Sequence, residues 1–231
     1  GRTDKYYLKE FEAETNLACH LVVDVSESMA YQGPHAPYSK FECAKRTAAA
    51  LAYVVLHQHD SVGLTTFDRE LRSQVPVAGT PSHLGDLLGA LPEQPTERKT
   101  ACGAVFRNLA DRLRRRGVVL VLSDCFDDVS SLVTGLKHIA HRRHDVVLIQ
   151  IVDPAEMEFP FRDPTRFVGL EAWPEVAVDP RSIRQAYREE FAAFLRQVKQ
   201  GCRMHQVDYL LLRTDQPLGR TLSRFLARRA S

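Results

Sequence analysis

The apolar positions of this chain fall into two patterns. In residues 17–23, 118–122, 146–152 and 207–212 they run almost uninterrupted, mostly as Val, Ile and Leu. A strand covered on one face alternates apolar with polar, so short continuous runs predict parallel strands buried on both faces. Between these runs apolar residues recur every three or four positions. Phe41, Ala44, Ala48, Leu51, Ala52 and Val55 mark one face of a long helix reaching about His57, and Ser39-Lys40-Phe41-Glu42 opens it with a capping-box pattern. Residues 61–67 and 70–77 predict two strands joined by a short polar turn, the second an antiparallel edge strand. A short helix is predicted over 82–91. Longer ones are predicted over 100–115, with Val105, Leu109 and Leu113, and over 128–141, with Leu132, Leu136, Ile139 and Ala140.

Residues 153–180 hold Pro154, Phe159, Pro160, Phe161, Pro164, Phe167, Trp173 and Pro174 without a period, and predict an ordered, irregular excursion. Asp179-Pro180 then starts a helix in cap-then-Pro form, with Ile183, Tyr187, Phe191, Phe194, Leu195 and Val198 on its buried side. A strand and a helix close the chain, the helix starting near Pro217 and burying Leu218, Leu222, Phe225 and Leu226. Alternating strands and helices predict an α/β fold: an open, mostly parallel sheet with one antiparallel edge strand and helices on both faces. We expect a single domain over residues 1–231, with 1–15 as a lead-in that continues from a longer polypeptide. Ligands are expected at the carboxyl ends of the strands.

Composition narrows the function. With 31 basic and 29 acidic residues, the formal charge of +2 gives no global attraction to nucleic acid or membrane surfaces. The five cysteines are scattered with no C-x-x-C pair, which fits reduced thiols in a cytoplasmic protein. No run reaches the roughly 20 apolar residues of a membrane span.

The candidate chemistry lies where strands end. Asp24-Val25-Ser26-Glu27-Ser28 puts three oxygen ligands at alternate positions just after the first apolar run. Hard divalent cations take oxygen ligands in octahedral geometry and keep some waters, a demand that one carboxylate and two hydroxyls meet. Ser123-Asp124 ends a second run at the same edge, and Thr100 precedes the helix leading into it. Asp24, Ser26, Ser28, Thr100 and Asp124 thus make one oxygen-rich pocket, with Thr96 as the alternative loop ligand.

Asp24-x-Ser26-x-Ser28, Thr100 and Asp124 resemble the metal-ion-dependent adhesion site (MIDAS) of von Willebrand factor A (VWA) domains. Tyr7-Leu8-Lys9-Glu10-Phe11-Glu12, Asp24 to Met29, Lys40-Phe41-Glu42, Asp60-Ser61-Val62-Gly63-Leu64, Ser123-Asp124 and Val152-Asp153-Pro154-Ala155-Glu156 together resemble the bacterial VWA-like proteins of the domain of unknown function 58 family. The resemblance implies a VWA-like, Rossmann-like sheet and a non-enzymatic module. It implies Mg²⁺, or Mn²⁺ or Ca²⁺, bound directly by Ser26, Ser28 and Thr100 and through water by Asp24 and Asp124. It also implies a protein partner that supplies a carboxylate, and an adaptor role beside a MoxR-type AAA+ ATPase. Lys99 stands where the family loop has Gly before the threonine.

Other readings compete. Asp24 as nucleophile would make a Mg²⁺-dependent phosphohydrolase or phosphotransferase, but Ser26 stands where a second acid is wanted. Asp24 to Ser28 also suits a capped turn, and Asp153 before Pro154 suits a turn more than ligation. His138, His141 and His144 share a helical spacing but read as a solvated helix end, as do His57 and His59. Arg112, Arg114, Arg115, Arg116, Arg142 and Arg143 read as solvated helix termini. Cys125 reads as a packing residue. No G-x-G-x-x-G, P-loop or G-x-S-x-G motif is present.

Overall fold

A computed structural model describes residues 17–161, 165–167, 176–220 and 223. Each apolar run forms a strand: β1 (Ala18–Asp24), β2 (Ser61–Phe67), β3 (Leu71–Ala78), β4 (Val118–Ser123), β5 (Asp145–Val152) and, after two three-residue strands, β8 (Asp208–Arg213). They build one sheet in the order β3-β2-β1-β4-β5-β8, parallel except for β3. Both the parallel sheet and its antiparallel edge match the expectation.

The uninterrupted runs are explained by coverage on two faces. Leu21 and Val23 of β1, Leu64 of β2, Leu120 and Leu122 of β4 and Ile149 of β5 pack with α1 (Lys40–His57) and α2 (His83–Gly89). The intervening Val22, Val119, Val121 and Leu148 pack on the other face with α3 (Cys102–Arg112), α4 (Val129–His141) and α6 (Pro180–Met204). Side chains alternate across a strand, so a one-residue slip would exchange the two sets and lose both cores. Burying each such side chain is worth roughly 1.5–3 kcal/mol. Among the described residues no helix is long and apolar enough to cross a membrane.

Helix starts follow their local chemistry. Ser39 accepts the Glu42 N–H, Asp128 caps α4 and Asp179 caps α6, with Pro180 in its first turn. The capping box of α1 is half made: the Glu42 carboxylate instead accepts a bond from Arg46. Within the 153–180 stretch lie α5 (Pro154–Glu158) and the antiparallel pair β6 (Thr165–Phe167) and β7 (Val176–Val178). Elements of three to five residues are too short to show a period. The helix expected at 100–115 covers only Cys102–Arg112, because Leu113 is already extended. Residues 218–220 begin a helical turn where the final helix was expected. Leu222, Phe225, Leu226, Trp173 and the residues before Leu17 lie outside the described residues.

The chain leaves β1 toward β2 on one side, while β1 meets β4 on the other. Strand order therefore reverses between β1 and β4, which opens a crevice at their carboxyl ends. Asp24 ends β1, and Asp124 follows the last residue of β4.

Candidate functional site

Three loops meet at this crevice, and main-chain bonds fix their spacing. After β1 the chain enters a 3-10 turn at Glu27–Ala30. Val25 N–H donates to the Phe67 carbonyl (2.8 Å), tying this loop to the end of β2. The loop before α3 is clipped to it by Thr96 N–H to the Val25 carbonyl (2.6 Å) and Glu27 N–H to the Arg98 carbonyl (2.9 Å). Asp68, fully buried, anchors the same loop by accepting from Thr96 Oγ1 (2.9 Å) and Arg72 Nε (2.8 Å). Burial works against ionising Asp68, but these bonds together hold its carboxyl below the usual range.

Within this frame Asp24, Ser26 and Asp124 are 0% exposed, Ser28 5% and Thr100 8%. Asp24 Oδ1 accepts the Ser26 N–H (2.9 Å), while Oδ2 accepts from Ser123 Oγ (2.6 Å) and Thr100 Oγ1 (3.5 Å). Register explains the Ser123 contact, since Val23 pairs with Leu122 and the next step sets Asp24 beside Ser123. Ser26 Oγ and Ser28 Oγ lie 3.2 Å apart. Adjacent ligands on an octahedral Mg²⁺ at about 2.1 Å would be about 3.0 Å apart, so this hydroxyl pair fits such an ion. Burial first, and the Asp124 charge second, push the Asp24 carboxyl up to about 7 against the bonds from Ser123 and Ser26. Among the described residues no three His, Cys, Asp or Glu side chains converge as ligands. A cation here would depend on the hydroxyls.

Lys40 is the residue that sequence reasoning missed. It is 1% exposed, and its ammonium lies 2.8 Å from Asp124 Oδ2 and 2.6 Å from Glu156 Oε1, above the Phe126 ring at 4.6 Å. Burial alone would lower its pKa, but the two carboxylates outweigh that and raise it, so Lys40 stays charged. One signal was available: a lysine at the first position of α1 opposes the positive end of the helix dipole. Glu156 is the second carboxylate on Lys40. It forms a reciprocal capping box with Asp153, accepting the Asp153 N–H (2.8 Å). Asp153 also accepts the Gly33 N–H (2.8 Å), which gives it the structural role expected of it. Gln150 adds a further support, donating to the Asp124 carbonyl (3.0 Å) and accepting from the Tyr209 hydroxyl (2.8 Å).

The structure thus brings Asp24, Ser26, Ser28, Thr100 and Asp124 to one edge. Thr96 instead faces Asp68, and Lys99 is exposed. Arg114, Arg115 and Arg116 are solvated, and Cys125 is fully buried with a left-handed backbone (φ 63°). His138 and His141 are exposed, but His144 is not part of a solvated end. It is buried edge-on against His20, with ring centroids 6.2 Å apart, because it lies beyond the helix where the chain dives into β5.

The model of the family described as "Protein of unknown function DUF58" matches residues 1–200. An uncharacterized protein of Mycobacterium tuberculosis is 25% identical over 234 residues, covering 99% of this chain and 72% of that protein, and one of Mycobacterium bovis gives the same values. Among solved structures, the conserved hypothetical protein BatB from Bacteroides thetaiotaomicron has a TM-score of 0.60 at 16% identity, covering 93% of this chain and 98% of that one. The SpRpn10 VWA domain has a TM-score of 0.51 at 14% identity, covering 90% and 94%. At these identities the two structures establish the fold alone, which is VWA-like.

Proposed function

This chain belongs to the family of protein of unknown function DUF58 and has a VWA-like fold, and from that premise we propose that it is a non-catalytic protein-interaction module whose contact point is a divalent cation at the β1–β4 crevice. The observation that carries this reading is the Ser26–Ser28 hydroxyl pair, 3.2 Å apart beside the fully buried Asp24. Ser26, Ser28 and Thr100 would hold the ion directly, and Asp24 and Asp124 through water. Charge supports the same reading. Asp124 and Glu156 share the ammonium of Lys40, and Asp24, held by hydroxyl and N–H donors, is a third buried carboxylate, so the three when ionised exceed that one ammonium by two formal charges. Burying uncompensated charge is unfavourable, so a divalent cation is the complementary guest.

A bound Mg²⁺ or Mn²⁺ would accept a carboxylate from the partner. The chain's own residues do the positioning. The Asp68-anchored loop carries Thr100 to the Asp24 carboxylate, and Ser123 orients Asp24. The partner this reading favours presents an Asp or Glu side chain, and a MoxR-type AAA+ ATPase is the candidate to try first, with this chain as its adaptor.

The test is Mn²⁺ titration calorimetry on the wild type and Asp24→Ala, followed by capture of a MoxR-type ATPase from the native host with Mg²⁺ or with chelator. We expect saturable binding that Asp24→Ala abolishes and capture that chelator releases. Capture unchanged in excess chelator would overturn the metal-bridged reading.

A further inference from the structure

We infer that Lys40 sets the cation affinity of the proposed site, acting as a tethered counter-ion that competes with the divalent ion for Asp124. The inference rests on the metal reading above and goes beyond it. Asp124 has two oxygens, and both are engaged: Oδ1 accepts the Phe126 N–H (3.1 Å) and Oδ2 accepts the Lys40 ammonium (2.8 Å). An incoming cation therefore meets a carboxylate whose charge is already half answered, together with a like charge close behind it.

Glu156 decides how strong that competition is. Its Oε1 takes Lys40 at 2.6 Å, while Oε2 is held by the Asp153 N–H at 2.8 Å, so α5 fixes it in place. Lys40 is thus divided between a carboxylate at the ion site and one outside it. The slot is closed by the Phe126 ring at 4.6 Å and the Tyr31 ring at 5.7 Å, which leaves the ammonium no water to retreat into. Weakening the Glu156 arm should push Lys40 onto Asp124, and removing Lys40 should free Asp124 for the ion.

Two variants separate this from a merely structural role, because they move affinity in opposite directions. In Glu156→Gln the amide carbonyl can keep the α5 cap while its NH₂ faces Lys40, driving the ammonium toward Asp124. Lys40→Met/Glu156→Gln differs from it only at Lys40. Groups that orient metal ligands typically change affinity by 10–100-fold, so we expect Mn²⁺ affinity to fall about tenfold in the first variant and rise about tenfold in the second. Electron paramagnetic resonance of free Mn²⁺ reads both, and circular dichroism confirms that each is folded. If one variant does not fold, the other is scored against wild type alone. Binding that emerges only once Lys40 is removed also supports the inference. Wild-type binding with both variants unchanged, or shifted the same way, overturns it and leaves the site standing. No Mn²⁺ binding in wild type or double variant overturns both.

Discussion

Replacing Lys40 alone by Met should be among the most damaging single changes available in this chain. The side chain is 1% exposed and its ammonium answers two buried carboxylates, Asp124 at 2.8 Å and Glu156 at 2.6 Å. Methionine fills similar volume but leaves both anions unanswered. Removing one partner of a buried ion pair costs about 3–5 kcal/mol, and the lost contact with the Phe126 ring adds to this. At about 2–4 °C per kcal/mol for a protein of this size, Tm should fall by roughly 6–20 °C. The effect also has a pH signature. Burial already holds the Glu156 carboxyl above the usual range despite Lys40, and loss of the ammonium raises it further. Protonation removes the unanswered charge, so the penalty is full near pH 7.5 and shrinks as pH falls toward about 5. Thermal melts followed by circular dichroism at both pH values, without added metal, measure this. Arg46→Ala is the control, since the Arg46–Glu42 pair is 58% and 38% exposed and such pairs contribute about 0.2–1 kcal/mol. A Lys40→Met loss no larger than that of Arg46→Ala near pH 7.5 would refute the reasoning.

Gly33→Ala should lower the urea midpoint by about 2–4 kcal/mol in stability, because a Cβ there would stand 2.2 Å from Asp153 Oδ1 and push that residue off the cap of α5; an unchanged midpoint would contradict the contact. Acidification should destabilise the chain through His20, whose pKa burial, and next the His144 charge, lower to about 4. The unfolded histidine titrates near 6.5, so the unfolded state binds more protons between about 6.5 and 4 and stability falls through that window. After allowance for partial solvent screening the loss is about 1–2 kcal/mol, and His20→Gln should flatten this part of a stability–pH profile. All five thiols are buried, with burial raising Cys19 and Cys202 to about 12 and Cys43 to about 11. Ellman's reagent near pH 8 should therefore label none of them until guanidinium is added; rapid labelling of the native protein would show that a thiol is open to solvent.

Much of the candidate site's residue set is local in sequence and so was legible. Asp24, Ser26 and Ser28 are close neighbours, and their position at a strand end follows from the apolar run before them. The choice between Thr100 and Thr96 was not legible, since the loop has no period. In the structure Asp68 accepts a bond from Thr96, while Thr100 lies beside Asp24. Lys40 looked like an ordinary helix-start residue because its partners are 84 and 116 positions away. His144 looked like part of a helical stripe because spacing alone does not show where a helix stops.

The sequence by itself determined the order of the six main strands and the longer helices between them, the parallel sheet, its antiparallel edge and the oxygen-rich loop after β1. These depend on side-chain period and on chemistry within a few residues. Only the tertiary structure decided that Asp24 and Asp124 flank the point where strand order reverses, that Thr96 turns to Asp68, and that a buried ammonium stands behind Asp124. Those facts depend on which distant segments share a low-dielectric interior, where a charge must find its counterpart across space and not along the chain.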